Sequence, residues 1–183
     1  MTTWHLTWEL DLTDGDHAAL APLLAGAFAS SDLGGRSWHS ERPEARIIGR
    51  DDTGRPVAHL AFLRRFVRVG DPDASARVRS VLVADCGLVC VDPAMRGTGL
   101  GRALLQETAR VLAEVEVPFG FLTTGDELAR YYATGGWQLT PTQRTLTIEH
   151  DESLQDWSEA SMYLPLRGET FPEGVIVRDG YEV

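Results

Sequence analysis

The chain has few cysteines, no long hydrophobic run and no excess of basic residues. Its two cysteines, Cys86 and Cys90, lie on one predicted strand. Four residues of strand span about 13 Å, which is too far for a disulfide, and no other ligand nearby would complete a metal site. No apolar run approaches the length of a membrane span, and the first residues lack the basic-then-apolar pattern of a secretion signal. We therefore expect no metal, no membrane insertion and a cytoplasmic location.

Acidic residues outnumber basic ones by 27 to 17, which gives a formal net charge of −10. Nucleic-acid binding needs a clustered basic surface, so the charge argues against such a partner. It suits a cationic small molecule, but acidity that serves only solubility explains it equally well. Several basic residues fall in one predicted hairpin, where they either reach ligand phosphates or coat a solvent face: Arg64, Arg65, Arg68, Arg77 and Arg79.

The chain of 183 residues, 43% of them hydrophobic, is long enough for one domain with a substantial core. The spacing of apolar residues predicts helices and strands in a mixed order. This order is typical of an α/β fold with a central, mostly antiparallel sheet. We expect a single domain over residues 1–183. The predicted elements are strands 4–10, 45–50, 56–69, 76–91, 119–123, 137–148 and 159–166, helices 14–28, 104–116 and 125–134, and an irregular tail 168–183.

The most informative stretch is the loop Arg96-Gly97-Thr98-Gly99-Leu100-Gly101, between a strand and a helix. Its glycines leave no Cβ to keep a ligand from the backbone, and the first N–H groups of the helix favour an anion. The loop therefore predicts a pyrophosphate site, with an ordinary glycine-rich turn as the alternative. Arg102-Ala103 excludes a Walker loop, and residues 92–96 separate the first glycine from the strand, unlike a Rossmann fingerprint.

The loop resembles the acetyl-CoA loop of the GNAT superfamily of N-acetyltransferases, Gln/Arg-x-x-Gly-x-Gly/Ala, with Arg96, Gly99 and Gly101 in the defining positions. A second signature supports the resemblance, because Tyr132 precedes Trp137 by five residues, similar to the Tyr-x-x-x-Gly-Phe/Trp helix end of that superfamily. The predicted element order is also the GNAT order. The resemblance implies a GNAT-type sheet splayed at a slot for acetyl-CoA, which serves as acyl donor, and it implies that a homodimer is common.

The resemblance also implies roles for individual residues. The Tyr132 hydroxyl would protonate the CoA thiolate, and Asp85 would accept the proton of the amine, although related enzymes carry a Glu nearer Gly87. The alternatives are a core tyrosine and a structural carboxylate at the end of the strand. His59, inside an apolar strand, is expected to be a packed histidine that donates one hydrogen bond. The implied cofactor-binding residues are Val89, Cys90, Val91, Arg96, Gly97, Thr98, Gly99, Leu100, Gly101 and Arg102.

Three residues are candidate contacts for the acceptor amine: Trp38, Asp85 and Glu182. Trp38 stands out in the polar, glycine-rich segment 29–42, and the two carboxylates would complement an ammonium group. The alternatives are that Trp38 packs on the core and that Glu182 is a solvated charge of the tail.

Two narrower resemblances concern the acceptor. Residues around Ala58-His59, the loop and the Tyr132 helix look like aminoglycoside 2'-N-acetyltransferases. Four stretches look at least as much like nodulation N-acyltransferases: residues 36–49, 58–70, 117–121 and 173–183. The latter acylate the free amine of a chitin oligosaccharide with a long chain from a carrier protein, and they lack the full glycine run and the Tyr-x-x-x-Gly-Trp end. Because both are present here, we expect an acetyl-CoA-dependent N-acetyltransferase acting on an aminoglycoside or amino sugar, with a role in antibiotic resistance. A nodulation-type N-acyltransferase, a protein N-acetyltransferase and a non-catalytic acetyl-CoA-binding module are the alternatives.

Overall fold

A computed structural model of the chain describes residues 1–28, 36–39, 41–71, 78–149 and 151–183. Within these ranges the elements, in chain order, are β1 (Thr3–Trp8), α1 (Asp14–Ala27), β2 (Ala45–Arg50), β3 (Pro56–Gly70), β4 (Arg79–Val91), α2 (Leu100–Glu114), β5 (Phe119–Thr123), α3 (Asp126–Ala133), β6 (Gln138–Leu139), β7 (Thr145–Ile148), β8 (Leu154–Trp157), β9 (Ser161–Pro165) and β10 (Val175–Asp179). The described helices include none that is long and apolar enough to cross a membrane.

The chain divides into two compact units, which are described separately. The first unit comprises Met1–Leu63, Cys86–Val111 and Val183, and the second comprises Arg64–Asp85 and Leu112–Glu182. The divisions fall within β3 and β4, so each of these strands contributes residues to both units.

In the first unit, β1, β2 and the first half of β3 form an antiparallel sheet in that order. Helix α1 begins with a capping box, in which the Thr13 side chain accepts from the Asp16 amide and the Asp16 carboxylate accepts from the Thr13 amide. The cap is therefore Thr13 and not Asp14. One face of α1 packs into a core cluster that consists of Leu20, Leu23, Leu24, Ile48, Ala61, Leu88, Cys90 and Val183.

In the second unit the strand order is β6-β9-β5-β4-β3-β10-β7-β8. The β4–β5 and β10–β7 pairs are parallel, while β5–β9, β6–β9, β3–β10 and β7–β8 are antiparallel. The expected α/β fold with a mixed, mostly antiparallel sheet is thus confirmed. The core of this unit is rich in aromatic rings and consists of Val67, Val69, Val83, Phe119, Phe121, Tyr163, Phe171 and Ile176.

The largest difference from the sequence prediction is in the expected tail, residues 168–183. Val175–Asp179 form β10, which pairs with β3 on one side and β7 on the other, and both Ile176 and Arg178 are buried. This strand was missed because five residues carry little periodicity and its partners are distant in the sequence. The predicted strand 137–148 is also interrupted after Leu139. Pro141 has no N–H for a ladder hydrogen bond, which accounts for the interruption.

The cysteines behave as expected. Cys86 and Cys90 are buried and carry thiols, not a disulfide. Burial raises the pKa of the Cys90 thiol to about 12, so this thiol is inert at neutral pH. Residues 72–77, which include Arg77 and the start of the predicted strand 76–91, lie outside the described residues.

Gly174 provides a test of the β10 position. Its φ is +137°, and a Cβ there would lie 2.5 Å from the Gly70 Cα on β3. We expect Gly174→Ala to lower the free energy of unfolding by about 2–4 kcal/mol, through backbone strain and overpacking. Gly26→Ala, on the exposed side of α1 with nothing within 4 Å, is the control and should change stability by less than about 1 kcal/mol. Denaturant unfolding measures both, and a Gly174→Ala protein as stable as the wild type would contradict the assigned pairing.

Candidate functional site

The glycine loop starts from a firmly anchored residue at the end of β4. The Asp92 amide donates to the Val57 carbonyl at 2.8 Å, and the Asp92 carboxylate accepts from the Ala94 amide at 2.8 Å, beginning a short 3₁₀ turn at Pro93–Met95. Arg55 forms an ion pair with the same carboxylate. The hydrogen bond from Arg55 is the main reason that the pKa of Asp92 lies below its usual value, so Asp92 stays ionised. The loop thus leaves the strand in a defined direction.

The loop itself has the geometry of an anion cradle. Gly97 and Gly99 have φ of +78° and +88°, and a Cβ at either position would meet nothing within 4 Å. The Thr98 hydroxyl donates to the Met95 carbonyl at 2.7 Å, which closes the turn before α2 begins at Leu100. The first N–H groups of a helix have no carbonyl in a preceding turn to bind, and the helix dipole adds positive potential there. Open space beside left-handed glycines at a helix start fits a diphosphate group.

Strand β4 is irregular just before the residues expected to bind pantetheine, Val89, Cys90 and Val91. Leu88 has φ of +51°, a left-handed conformation that is uncommon for residues with a Cβ. Its carbonyl accepts a hydrogen bond from the His59 ring, Nδ1 to O 2.8 Å. Side chains therefore do not alternate regularly between the two faces of β4 from Asp85 to Val91.

Asp85, the expected base, lies in the second unit and is completely buried. One carboxylate oxygen is 3.4 Å from Arg178 Nη1 and the other is 3.4 Å from Arg65 Nε. Burial raises the pKa of Asp85, and attraction to Arg178 and Arg65 only partly offsets it. Arg178 also donates to the Thr147 hydroxyl at 2.9 Å. Asp85 is thus enclosed by two guanidinium groups, in an arrangement typical of a structural ion pair.

Glu182 is the exposed carboxylate of the same cluster. It is 53% exposed, one of its oxygens accepts from the Thr123 hydroxyl at 2.8 Å, and the same oxygen is 3.7 Å from Arg178 Nη2. It can therefore meet a solute while β5 and β10 residues hold it in place. Among the described residues, no three His, Cys, Asp or Glu side chains are grouped so that they could hold a metal ion.

Tyr132 lies near the end of α3 in the second unit and is only 6% exposed. Its ring packs against Tyr131 and Trp137, with centroids 5.1 and 6.0 Å away. The Gly135 amide donates to the Tyr132 carbonyl at 2.9 Å, and Gly136 turns the chain with φ of +89°. The spacing of Tyr132 and Trp137 is therefore that of a helix C-terminal cap, and Tyr132, not Tyr131, is the more buried of the two tyrosines.

Trp38 lies in the first unit, where its ring is surrounded by cations. The guanidinium carbons of Arg42 and Arg36 are 5.0 and 5.9 Å from the ring centroid, and the His17 ring meets it edge-on at 5.6 Å. Both guanidinium groups already form cation–π contacts with the Trp38 ring. The ring therefore suits a neutral sugar better than a further ammonium group. Most of the segment that was expected to line the acceptor site, residues 29–35 and 40, lies outside the described residues.

A buried polar network that ends at β4 was not predicted from the sequence. His59 is fully buried and its Nδ1 contacts the Leu88 carbonyl, which confirms the expected packed histidine with one donated hydrogen bond. Arg46, also fully buried, joins the other ring nitrogen of His59 to the Glu9 carboxylate. The signal in the sequence was Arg46, an arginine between apolar residues of β2, the strand that pairs with the one carrying His59.

Comparison with known proteins gives a consistent family. The sequence profile described as "Nodulation protein A (NodA)" matches residues 1–180. Nodulation protein A of Azorhizobium caulinodans is 32% identical over 200 aligned positions, which cover 99% of this chain and 84% of that protein. Nodulation protein A of Methylobacterium nodulans is 40% identical over 135 positions, which cover 70% of this chain but only 59% of the relative. The chain thus aligns with less than two thirds of several of these relatives.

A solved structure shares the fold. The GNAT family N-acetyltransferase YhbS of Escherichia coli, in complex with CoA, superposes with a TM-score of 0.60 over 97% of this chain and 89% of that one, at 17% sequence identity. At such an identity the likeness concerns the fold alone, and it confirms the predicted GNAT fold. Nothing in these matches supports the expected aminoglycoside acceptor or a role in antibiotic resistance.

The buried histidine predicts a pH-dependent stability. Burial first, and then the positive charge of Arg46, lower the pKa of His59 from 6.5 to about 3. Between these pH values the unfolded chain binds one proton more than the folded chain, so the free energy of unfolding falls as the pH falls, by up to about 1.4 kcal/mol per pH unit. From pH 7 to 5 the wild type should lose about 2 kcal/mol more than His59→Asn, by denaturant unfolding. Equal losses would contradict a buried, neutral His59.

Proposed function

Because the chain belongs to the nodulation protein A family and has the GNAT fold, we propose that it is an N-acyltransferase that moves an acyl group from an acyl-CoA to the free amine of an amino sugar. The observation that carries the proposal is the loop at residues 96–101. There, Gly97 and Gly99 are left-handed beside open space at the start of α2. A diphosphate-bearing donor is the ligand that this cradle fits best.

The choice of acceptor rests on three observations. The family match favours the nodulation-type alternative over the aminoglycoside acceptor. The resemblance to nodulation N-acyltransferases implies the free amine of a chitin oligosaccharide as acceptor. Glu182 offers an exposed carboxylate for the ammonium form of such an amine. The net charge of −10 gives the protein a field that attracts cationic solutes.

The donor is proposed to be a CoA thioester. The Escherichia coli neighbour was solved with CoA, and the present loop keeps the Arg-x-x-Gly-x-Gly residues Arg96, Gly99 and Gly101. Leu100 would add a backbone N–H group to the cradle and Arg102 a positive charge near it, while the Thr98 N–H donates to the Met95 carbonyl and closes the turn. Acetyl-CoA is the first donor to test. A longer acyl chain is the alternative, which the resemblance to nodulation N-acyltransferases implies.

The reaction needs three groups from the protein. The bound ammonium group first loses one proton to water. The resulting neutral amine nitrogen attacks the thioester carbonyl carbon, a backbone N–H of residues 89–91 stabilises the carbonyl oxygen, and the C–S bond then breaks. The Tyr132 phenol gives its proton to the departing thiolate, and the proton released by the amine replaces it, so that protons balance. Of the two carboxylates, we assign the contact with the ammonium group to Glu182. Asp85 then serves to hold Arg65 and Arg178.

The direct test is an acceptor and donor panel. Acceptors would be glucosamine, a chitin oligosaccharide with one free amine, an aminoglycoside and a peptide with a free N-terminus, each with acetyl-CoA and a long-chain acyl-CoA. Mass spectrometry should show one acyl group added to the oligosaccharide or to glucosamine. All basic residues of the chain are arginines, so no lysine of the protein competes as acceptor. Failure to acylate either amino sugar with either donor would contradict the proposal.

The role of Tyr132 predicts a selective loss of rate. Tyr132→Phe should lower kcat by about 100-fold, because the thiolate would leave without a positioned acid. Tyr131→Phe, which removes the neighbouring hydroxyl on the same helix, should change kcat by less than about threefold. If Tyr132→Phe keeps the wild-type rate, Tyr132 is a core residue. Tight acyl-CoA binding without turnover by the wild type would instead indicate a non-catalytic binding module.

If the loop at residues 96–101 binds the diphosphate of the donor, adding one methyl group at Gly99 should weaken the binding of CoA. Gly99→Ala places a Cβ where the diphosphate is proposed to lie and should raise the Kd of CoA at least about tenfold, through lost charge-assisted hydrogen bonds. Gly168→Ala is the matched control, since Gly168 also has a positive φ, +72°, and open space around it. Both variants carry similar backbone strain, but only Gly99→Ala should weaken CoA binding in calorimetric titration. Equal affinities would contradict the cradle.

A further inference from the structure

Three buried polar side chains of the first unit, Glu9, Arg46 and His59, form a continuous chain of hydrogen bonds that we term the buried relay. Arg46 Nε donates to one Glu9 oxygen at 2.7 Å and Nη2 donates to the other at 3.2 Å. Arg46 Nη1 lies 3.2 Å from His59 Nε2, and His59 Nδ1 lies 2.8 Å from the Leu88 carbonyl oxygen. The relay thus connects the end of β1 with β4 through β2 and β3.

The chemistry of these groups fixes the direction of every hydrogen bond. A guanidinium group can only donate, so His59 Nε2 must accept from Arg46. The proton of the neutral imidazole is therefore on Nδ1, and His59 donates to Leu88. Glu9 fixes the orientation of Arg46, because its carboxylate accepts two hydrogen bonds from the guanidinium group. Arg42 approaches the Glu9 carboxylate from the surface, Nε to Oε1 2.9 Å.

Stability alone does not account for the relay. Arg46 and His59 are fully buried and Glu9 is 8% exposed, and a buried ion pair generally contributes no more to stability than apolar side chains of similar size. Strand β3 around His59 is otherwise a run of buried apolar residues, from Val57 to Phe62. An apolar side chain at residue 59 would fill this space without having to bury charges. What the relay adds is a hydrogen-bond donor aimed at one carbonyl.

That carbonyl belongs to the residue with the least favourable backbone conformation in β4. Leu88 has φ of +51°, and its side chain is held in the core cluster at 6% exposure. At the preceding residue, Gly87, a Cβ would lie 2.0 Å from the Val183 carbonyl oxygen, so the chain is closely packed there as well. The left-handed conformation persists only where surrounding contacts impose it. The His59 hydrogen bond is one of those contacts.

The peptide group that follows Leu88 links the relay to the proposed chemistry. Its planar trans geometry makes the Leu88 C=O and the Val89 N–H point in opposite directions. By holding the carbonyl toward its ring, His59 directs the Val89 N–H away from that ring. Val89 is the first of the three residues whose backbone is proposed to bind the acyl donor.

We infer that the buried relay positions the Leu88–Val89 peptide group so that the Val89 N–H can donate to the thioester carbonyl oxygen. The inference rests on the proposed function for its chemical step, and on the structure alone for the orientation of the peptide group. Glu9, Arg46 and His59 are positioning residues and contact no substrate. A polarised carbonyl bound by His59 also makes the N–H of the same peptide group a stronger donor, because linked hydrogen bonds polarise one another.

The kinetic test compares two substitutions at residue 59. His59→Leu fills the site without a donor and should lower kcat about 100-fold, as expected for loss of a donor to the reacting carbonyl. The KM for acyl-CoA should stay within about threefold, because the diphosphate loop is unchanged. His59→Asn carries an amide nitrogen at about the place of Nδ1 and should recover kcat to within about tenfold of the wild type. His5→Leu, at an exposed histidine of β1, is the control. Equal kcat for His59→Leu and the wild type would overturn the inference.

A second measurement needs no turnover. The ¹H–¹⁵N resonance of the Val89 amide should shift, and its hydrogen exchange should quicken, in His59→Leu; both should return toward wild-type values in His59→Asn and stay unchanged in His5→Leu. If the wild type transfers no acyl group, the proposed function fails while this experiment still decides the positioning. Should His59→Leu not fold, Glu9→Gln keeps the shape of the relay, removes its charge and should shift the same resonance. An unchanged Val89 amide in the folded variants would overturn the inference.

Discussion

The hydrogen bond from His59 to the Leu88 carbonyl is the contact on which the arrangement of β4 depends. It satisfies the carbonyl of a left-handed residue inside a strand, and the rest of the relay serves to aim it. Arg46 fixes the tautomer of the ring, and Glu9 fixes Arg46. A charged network buried this completely is costly to desolvate, which is why each member needs its partner. A need to hold the backbone of residues 88 and 89 in one orientation explains why the chain keeps the network despite this desolvation cost.

The chain uses two different devices to present its backbone to a ligand. In the loop, glycines at positions 97 and 99 adopt positive φ without a Cβ penalty, and the Asp92–Arg55 ion pair anchors the start. In β4, a leucine adopts positive φ because core packing and a buried side chain hold it there. The first device is local, whereas the second depends on Glu9, which follows β1, and on residues of β2 and β3. Both precede the point where a strand passes into a helix, which is where α/β folds bind phosphorylated ligands.

Of these two devices, the loop could be predicted from the sequence and the left-handed residue in β4 could not. Some features depend only on residues that are close together in the sequence, and these were predictable: the loop, the spacing of Tyr132 and Trp137, and the bounds of β2 and β5. The left-handed Leu88 carries no local signal, because leucine is ordinary in a strand. Glu9 and Arg46 could not be paired from sequence, since 37 residues separate them. Likewise β10 becomes a strand only through partners far away in the chain, and the same holds for the two arginines that enclose Asp85.

The central claim is that the loop and the adjoining half of β4 together bind a CoA thioester. Titration of ¹⁵N-labelled protein with CoA, followed through the backbone amide resonances, tests it most directly. The account predicts that the largest shifts occur at the amides of residues 97–102 and 89–91 and that they saturate together with a single Kd. Saturable shifts confined to other parts of the chain, or no shifts at millimolar CoA, would contradict it.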